Sequence, residues 1–500
     1  MTLNRRAFLH VAGVSGVAAA VSACSGGTVP EPTRGPITPT PQTTTTTRAV
    51  VRPDLDGLRK ALGGALVQPS DAGYDTARRS YNPLFDNRQP LAVATASTPD
   101  HVKACVEVAH AAALPIAARS GGHSYAGYST PDRGIVVDLA GLSRVDVRDD
   151  GTAVVGAGAR LIDVYSALAK AGRSLPAGTC PTVGIAGLTL GGGLGVLSRK
   201  YGLTCDKLLA ADLVSADSLS LRASAESEPE LFWALRGGGG GNFGIVTSFT
   251  FATDPAPEIC TVFRLDFAPG AMADVLGRWQ GWVADAPPEL WSNLVVVGGS
   301  PPSGRVNGCY VGPRRELNDL LDGLGADPVN RVVRQEDFFG AMLHFANCAP
   351  ESRCAPDRFP RETFAASSRV VARPLGDPAA LVEQVDGRRG MDLLLDSLGG
   401  AIAEVGAADT AFPHRDALAT VQIYQEATAD TAIAAARAVA EFRDALAGIG
   451  VRGGYVNYID AAMPDWQVTY YGQNVNRLRD VARQYDPDAV FGFAQGLVRA

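Results

Sequence analysis

The chain has no surplus of positive charge. Its 500 residues carry 45 Lys and Arg against 52 Asp and Glu, a net charge of −7. That argues against a nucleic-acid partner, which needs a basic field. Charge of either sign is sparse at 19%, while hydrophobic residues reach 46%. A mostly disordered chain is excluded, and a large buried core is available. No apolar run approaches the ~20 residues of a membrane-spanning helix. No CxxC pair occurs among the eight cysteines, so a zinc or thioredoxin-like site is not expected, and no metal site is assigned. No glycine-rich segment ends in Gly-Lys-Ser/Thr, and none is a GxGxxG between a strand and a helix with an acidic residue following. Phosphate-loop and Rossmann sites are therefore unsupported. No repeat of fixed period is visible.

What the chain does have begins with an address. Arg5 and Arg6 precede the apolar run VAGVSGVAAAVSA (11–23), the length of a signal h-region. The twin arginine points to export of a folded protein. Val21-Ser22-Ala23-Cys24 resembles a lipobox, which would place a lipid anchor on Cys24 and hold the protein at the cell envelope. Residues 1–23 read as the signal and 24–50, rich in Thr and Pro, as a tether. Membrane contact is expected only through the anchor. Export makes disulfides possible, and Cys348 and Cys354 are close enough in sequence to pair, which spacing alone leaves open.

The body starts at Val51. Val102, Cys105, Val106 and Ala109 recur at helical spacing within 99–113, with Pro99 at the start. Strands are predicted at 114–118, 134–139, 153–158 and 246–251, and a helix at Leu161–Lys170. Past Cys260 come strand-like runs such as 294–297 and 421–424, with a helix over Thr431–Leu446. The fold class is α+β. The organisation is a first domain over 51–258, a second over 259–450 that should hold the substrate, and a tail over 451–500 that returns to the first.

Three glycine clusters stand out among 56 glycines: RSGGHSYAGYS (119–129), GTCPTVGIAGLTLGGGLG (178–195) and RGGGGGNFGIV (236–246). Glycine loops let backbone N–H groups approach a ligand closely. Three in one domain point to a dinucleotide held by a fold other than Rossmann. Two nucleophile-capable side chains sit in them, His123 and Cys180. A loop histidine is commonly just a hydrogen-bonding residue, and a lone cysteine is commonly buried and inert.

The first two clusters closely resemble those of berberine-bridge-enzyme-like oxidases, within the vanillyl-alcohol-oxidase superfamily of FAD enzymes. The likeness extends to the third cluster, to AFPHRDA (411–417), and to YVNYID (455–460), YYGQN (470–474) and YDPD (485–488). It implies a two-part PCMH-type FAD-binding domain plus a substrate domain with an antiparallel sheet covered by helices. It also implies FAD bonded twice, through His123 to the 8α-methyl and Cys180 to C6. The loop residues implied at the cofactor are Arg119, Ser120, Gly121, Gly122, Ser124, Gly127, Val183, Gly184, Gly187, Gly192, Asn242, Gly244, Ile245 and Val246, with Tyr455 and Asn457 from the tail. Hydride transfer from a substrate carbon to the flavin follows, with Tyr458 as the base, its phenol ionised by a neighbouring positive charge. Gln422 is implied to face the flavin, although Thr420-Val-Gln-Ile-Tyr departs from the family's usual order and leaves the register open by one residue. If Gln422 holds that position, no carboxylate base stands there, which favours simple alcohol oxidation over ring closure. Val183 is associated with oxygen access.

The resulting expectation is an FAD oxidase that turns a sugar hemiacetal or an aromatic or other alcohol into a carbonyl product and oxygen into hydrogen peroxide. The competing readings are a dehydrogenase using another electron acceptor and a tethered, non-catalytic flavin-binding protein. Trp279, Trp282, Trp291, Phe338 and Phe339 are either sugar-stacking residues or, on the stronger reading, core.

Overall fold

The computed structural model describes residues 51–354 and 359–498, all within one unit, Val50–Ala500. The signal, the lipobox at Cys24 and the tether lie outside the described residues.

Three sheets carry the architecture. The first has four strands in the order Leu66–Val67, Ala92–Thr95, Ile135–Asp138, Ile116–Arg119. The last three run parallel, so a crossover must join 95 to 116. That crossover is the helix Pro99–Ala111. Thr98 caps it by accepting from the His101 amide, Pro99 occupies its first turn, and Val102, Cys105, Val106 and Ala109 face the core. The helix returns the chain to Ile116–Arg119, whose C-terminal end runs straight into the first glycine cluster.

The second sheet is antiparallel: Val145–Val147, Thr152–Gly156, Ile245–Ala252, Leu208–Val214, Ser220–Ser224. Its central strand follows the third glycine cluster. The helix Leu161–Lys170 leads towards the second cluster, which enters the short helix Ile185–Leu190.

The third sheet has seven antiparallel strands: Asn330–Glu336, Cys260–Phe267, Ser303–Tyr310, Leu290–Val297, Met391–Ser397, Ala419–Glu426, Phe364–Val371. Period-two alternation gives it two unlike faces. Leu294, Val296, Leu393, Leu395, Val421 and Ile423 share a core with Val275 and Trp279 of the helix Met272–Asp285 and with Val439 and Phe442 of the helix Ala432–Gly448. The opposite face carries Asn293, Asp396, Thr420, Gln422 and Tyr424. This is the α+β, PCMH-type arrangement with a helix-covered antiparallel sheet that the motifs implied.

Trp279, Trp282, Trp291, Phe338 and Phe339 fall to the core. Trp279 is fully buried and donates to Ser292, Trp282 donates to the Leu320 carbonyl, and Trp291 and Phe338 are buried, with Phe339 packed against them. The tail folds back on the first part of the body. Its helix Val475–Tyr485 buries Leu478 and Val481 in the core of the first two sheets, and Arg477 pairs with Glu230 at 2.7 Å. Cys348 and Cys354 form a disulfide. No described helix is long and apolar enough to cross a membrane.

Candidate active site

Where Ile116–Arg119 ends, two side chains fix the exit of the first loop. The Arg119 guanidinium donates to Asp138 and to the Ala77 carbonyl, both at 2.6 Å. Ser120 donates to the Ala157 carbonyl at 2.6 Å. Both side chains are thus engaged within the protein, and what these positions can offer a ligand is backbone. At Gly121 a Cβ would lie 2.3 Å from the Gly184 amide nitrogen and 2.6 Å from the Thr182 carbonyl oxygen, so the first and second loops touch through bare backbone. No side chain fits there. Gly122 and Gly127 continue the first loop, and the Ser124 hydroxyl accepts from the Tyr128 amide.

This contact brings the two candidate nucleophiles together on one side chain. His123 Nε2 lies 2.9 Å from Thr182 Oγ1, and Cys180 Sγ lies 3.6 Å from the same oxygen. Tyr81 stacks on the His123 ring, centroids 3.9 Å apart. Burial, with the charge of Arg160 adding to it, lowers the His123 pKa to about 4, so the imidazole is neutral at physiological pH. Among the described free cysteines, Cys105, Cys205, Cys260 and Cys309 are buried and Cys180 alone is partly exposed. Val183 borders it, half-buried.

The tail pins the second loop. The Tyr455 hydroxyl accepts from the Gly193 amide at 3.0 Å and from Asn457 Nδ2 at 2.9 Å, and Asn457 also donates to the Leu188 carbonyl. Both residues therefore hold the glycine loop. AFPHRDA clamps two clusters at once. Phe412 packs against Gly192 and Gly237, while Arg415, fully buried, makes two 2.7 Å bonds to Asp206. In the third cluster Asn242 accepts from the Leu497 amide and donates to the Gly238 carbonyl. Gly244 crowds the Val214 carbonyl, and Ile245 and Val246 open the central strand of the second sheet.

The polar face of the seven-stranded sheet supplies the rest. Gln422 lies opposite Leu394 and Ser368, between core-facing Val421 and Ile423, which settles its register. Its Nε2 donates to the Tyr125 hydroxyl at 2.7 Å. Tyr125 stacks on Tyr458, centroids 5.7 Å apart. Tyr458 in turn donates to Asp396 Oδ2 at 3.2 Å, and Asn293 donates to the other carboxylate oxygen at 2.7 Å. Burial raises the Asp396 pKa to about 6.

This geometry corrects one expectation. The charged group hydrogen-bonded to Tyr458 is a carboxylate, not a cation. Burial first, and the Asp396 charge next, hold the phenol well above its ordinary pKa, so Tyr458 is neutral at rest. A carboxylate is therefore present at the site after all, on the neighbouring strand rather than at 422. Asp396, Asn293 and Tyr81 were missed in the sequence, and Thr182 stood inside the second motif without being singled out. Tyr125 was visible inside the first motif but was not singled out.

The loops fit a flavin nucleotide. A neutral imidazole and an accessible thiol converge on one hydroxyl. Gly187 is exposed, with nothing within 4 Å of where its Cβ would stand, leaving a cradle free of side chains. The buried hydroxyls of Tyr128 and Ser129 in the first loop, of Thr130 just after it and of Thr189 on the helix within the second cluster have no hydrogen-bond partner among the described residues. Such groups are costly unless something else satisfies them.

Comparison with known proteins agrees. Residues 90–224 match the family described as FAD binding domain, and 454–497 the one described as berberine and berberine like. The FAD-linked oxidoreductase YgaK of Bacillus subtilis is 32% identical over 449 residues, covering 87% of this chain and 97% of its own. The chitooligosaccharide oxidase of Gibberella zeae is 31% identical over 475 residues, covering 88% of this chain and 94% of its own. Among solved structures, BBE-like 1 of Physcomitrella patens gives a TM-score of 0.83 at 30% identity, covering 88% of this chain and 98% of that one. The fold and the loops define an FAD-linked oxidoreductase. The chain belongs to the berberine-bridge-enzyme-like family of these enzymes.

Proposed function

We propose that this enzyme oxidises the CH–OH carbon of a sugar hemiacetal, or of another alcohol, and delivers the electrons to dioxygen. Bound FAD supplies the hydride acceptor and, on reoxidation, hydrogen peroxide. His123 and Cys180 are the residues that hold it covalently. In support, one is a neutral imidazole, the other a half-exposed thiol, and both touch Thr182.

The observation that carries the reading is the Tyr458–Asp396 pair beside Gln422 and Tyr125. An alcohol must lose its hydroxyl proton as hydride leaves the carbon. Tyr458 takes that proton on its phenol oxygen while passing its own to Asp396. The relay requires Asp396 ionised, which its pKa of about 6 allows at neutral pH. Gln422 and Tyr125 are placed to hydrogen-bond and orient the substrate. Tyr424 and Phe364, stacked at 4.8 Å, give the same face an aromatic wall suited to the faces of a sugar ring. The chitooligosaccharide oxidase likeness supports a carbohydrate, and Val183 beside Cys180 supports access for oxygen.

The deciding experiment has two readouts. Protein lacking residues 1–50 is acid-denatured and weighed intact, and native protein is screened against reducing oligosaccharides for oxygen uptake and peroxide. One FAD of added mass, with peroxide formed, is the expected result. Substrate-dependent dye reduction without oxygen uptake would make it a dehydrogenase. Yellow supernatant and an unmodified mass would refute covalent attachment.

The proposal includes export by the twin-arginine route and a lipid anchor at Cys24. The Cys348–Cys354 disulfide supports an oxidising compartment.

A further inference from the structure

Thr182 is buried in the second glycine loop, and its hydroxyl lies within hydrogen-bond distance of both candidate attachment residues: His123 Nε2 at 2.9 Å and Cys180 Sγ at 3.6 Å. A hydroxyl has one proton to give and two lone pairs to offer. A neutral imidazole has one N–H, on either nitrogen. His123 is neutral, so its single proton must be placed. With the proton on Nε2 and donated to Thr182, Nδ1 keeps a free lone pair, and it has no hydrogen-bond partner among the described residues. The Thr182 proton is then free to point at sulfur. The opposite assignment leaves Nδ1 protonated and turns a hydroxyl lone pair towards Sγ. Only the first arrangement prepares both nucleophiles, and the Tyr81 ring stacked on His123 restrains the imidazole from turning over.

We propose that Thr182 is a positioning residue for cofactor attachment, setting the His123 tautomer that exposes Nδ1 and hydrogen-bonding the Cys180 sulfur as each bonds to the flavin. The inference rests on the covalent reading above. Each attachment is an oxidation. A C–N or C–S bond forms, one proton leaves the nucleophile and one leaves the flavin carbon, and the two electrons released go to dioxygen, giving hydrogen peroxide. Thr182 is unchanged over the whole step.

The test counts bonds in full-chain protein purified with its flavin. Cys180→Ala isolates the His123 bond, and His123→Ala isolates the Cys180 bond. Adding Thr182→Val, which keeps the shape and removes the hydroxyl, is expected to raise the flavin released by acid at least ten-fold in each background. Thr182→Ser is expected to match its parent. Thr182→Ala repeats the test if the valine protein fails to accumulate, and flavin bound before denaturation controls for folding. The inference is overturned if either bond forms without the hydroxyl as it does in the parent, or if serine behaves like valine. Unsubstituted protein that releases all its flavin overturns the attachment itself, a result distinguishable from either of these.

Discussion

Asp396 is buried beside Asn293 and Tyr458, and its charge bears in opposite directions on stability and on the proposed proton relay. Its carboxyl titrates near 6 in the fold, against 3.8 for the unperturbed group. The folded state therefore binds this proton more tightly than the unfolded chain does. The resulting stabilisation is complete below about 4 and is lost as pH rises through about 6. The proposed relay runs the other way, since it needs the carboxylate. We expect kcat/KM to rise with pH through about 6, in a pH–rate profile fitted to one ionisation. Asp396→Asn should lower kcat by roughly 10²–10⁴-fold and abolish that ionisation. It should also raise stability at pH 8, on the order of 2 kcal/mol, read from urea unfolding at pH 8 and pH 4, with the gain absent at pH 4. A variant both slower and less stable at pH 8 would mean that the carboxylate is structural. Tyr458→Phe removes the proton acceptor while keeping the ring against Tyr125. Turnover equal to wild type would eliminate Tyr458 as the base.

At the scale of loops and strands, the decisive contacts are backbone against backbone and one buried ion pair. Gly121→Ala would drive a methyl to 2.3 Å from the Gly184 nitrogen, where no flexible side chain can yield. The two loops must part, and the expected outcome is a purified protein with little bound flavin, measured as absorbance per chain. Arg415 is fully buried and its charge is met by Asp206. Arg415→Leu leaves that carboxylate unpaired and should cost about 3–5 kcal/mol, read as a shifted unfolding midpoint. Much of this level was legible in the residues. Leu161–Lys170 reads as a helix and is one, and the glycine clusters announce loops because few other residues tolerate such close approach. Asp396 was not legible. It closes Met391–Ser397, whose apolar middle reads only as a buried strand, and its partner Tyr458 lies 62 residues on. Gln422 was ambiguous until strand pairing showed which neighbours face the core.

The whole molecule joins distant segments at every functional point. Gln422 meets Tyr125 across 297 residues, and Asn457 meets Leu188 across 269. Strand order in the seven-stranded sheet, which places a late strand beside an early one, has no local signature, because long-range pairing is settled only by global packing. Residues 1–50 lie outside the described residues, and the proposed export and anchor rest on their composition and motifs alone. Cys24→Ser should move the protein from the membrane fraction to the soluble one with oxidase activity retained, a fractionation assay that would refute the anchor if membrane association persisted.

Tyr455 reaches Gly193 from 262 residues further along. A ribosome emits the His123 and Cys180 loops first and this clasp among the last. Until the final stretch emerges, the second loop lacks the hydroxyl that closes it. A chain cut short by a premature stop would carry His123 and Cys180 and both glycine loops, without the hydroxyl that joins the second of them to the tail.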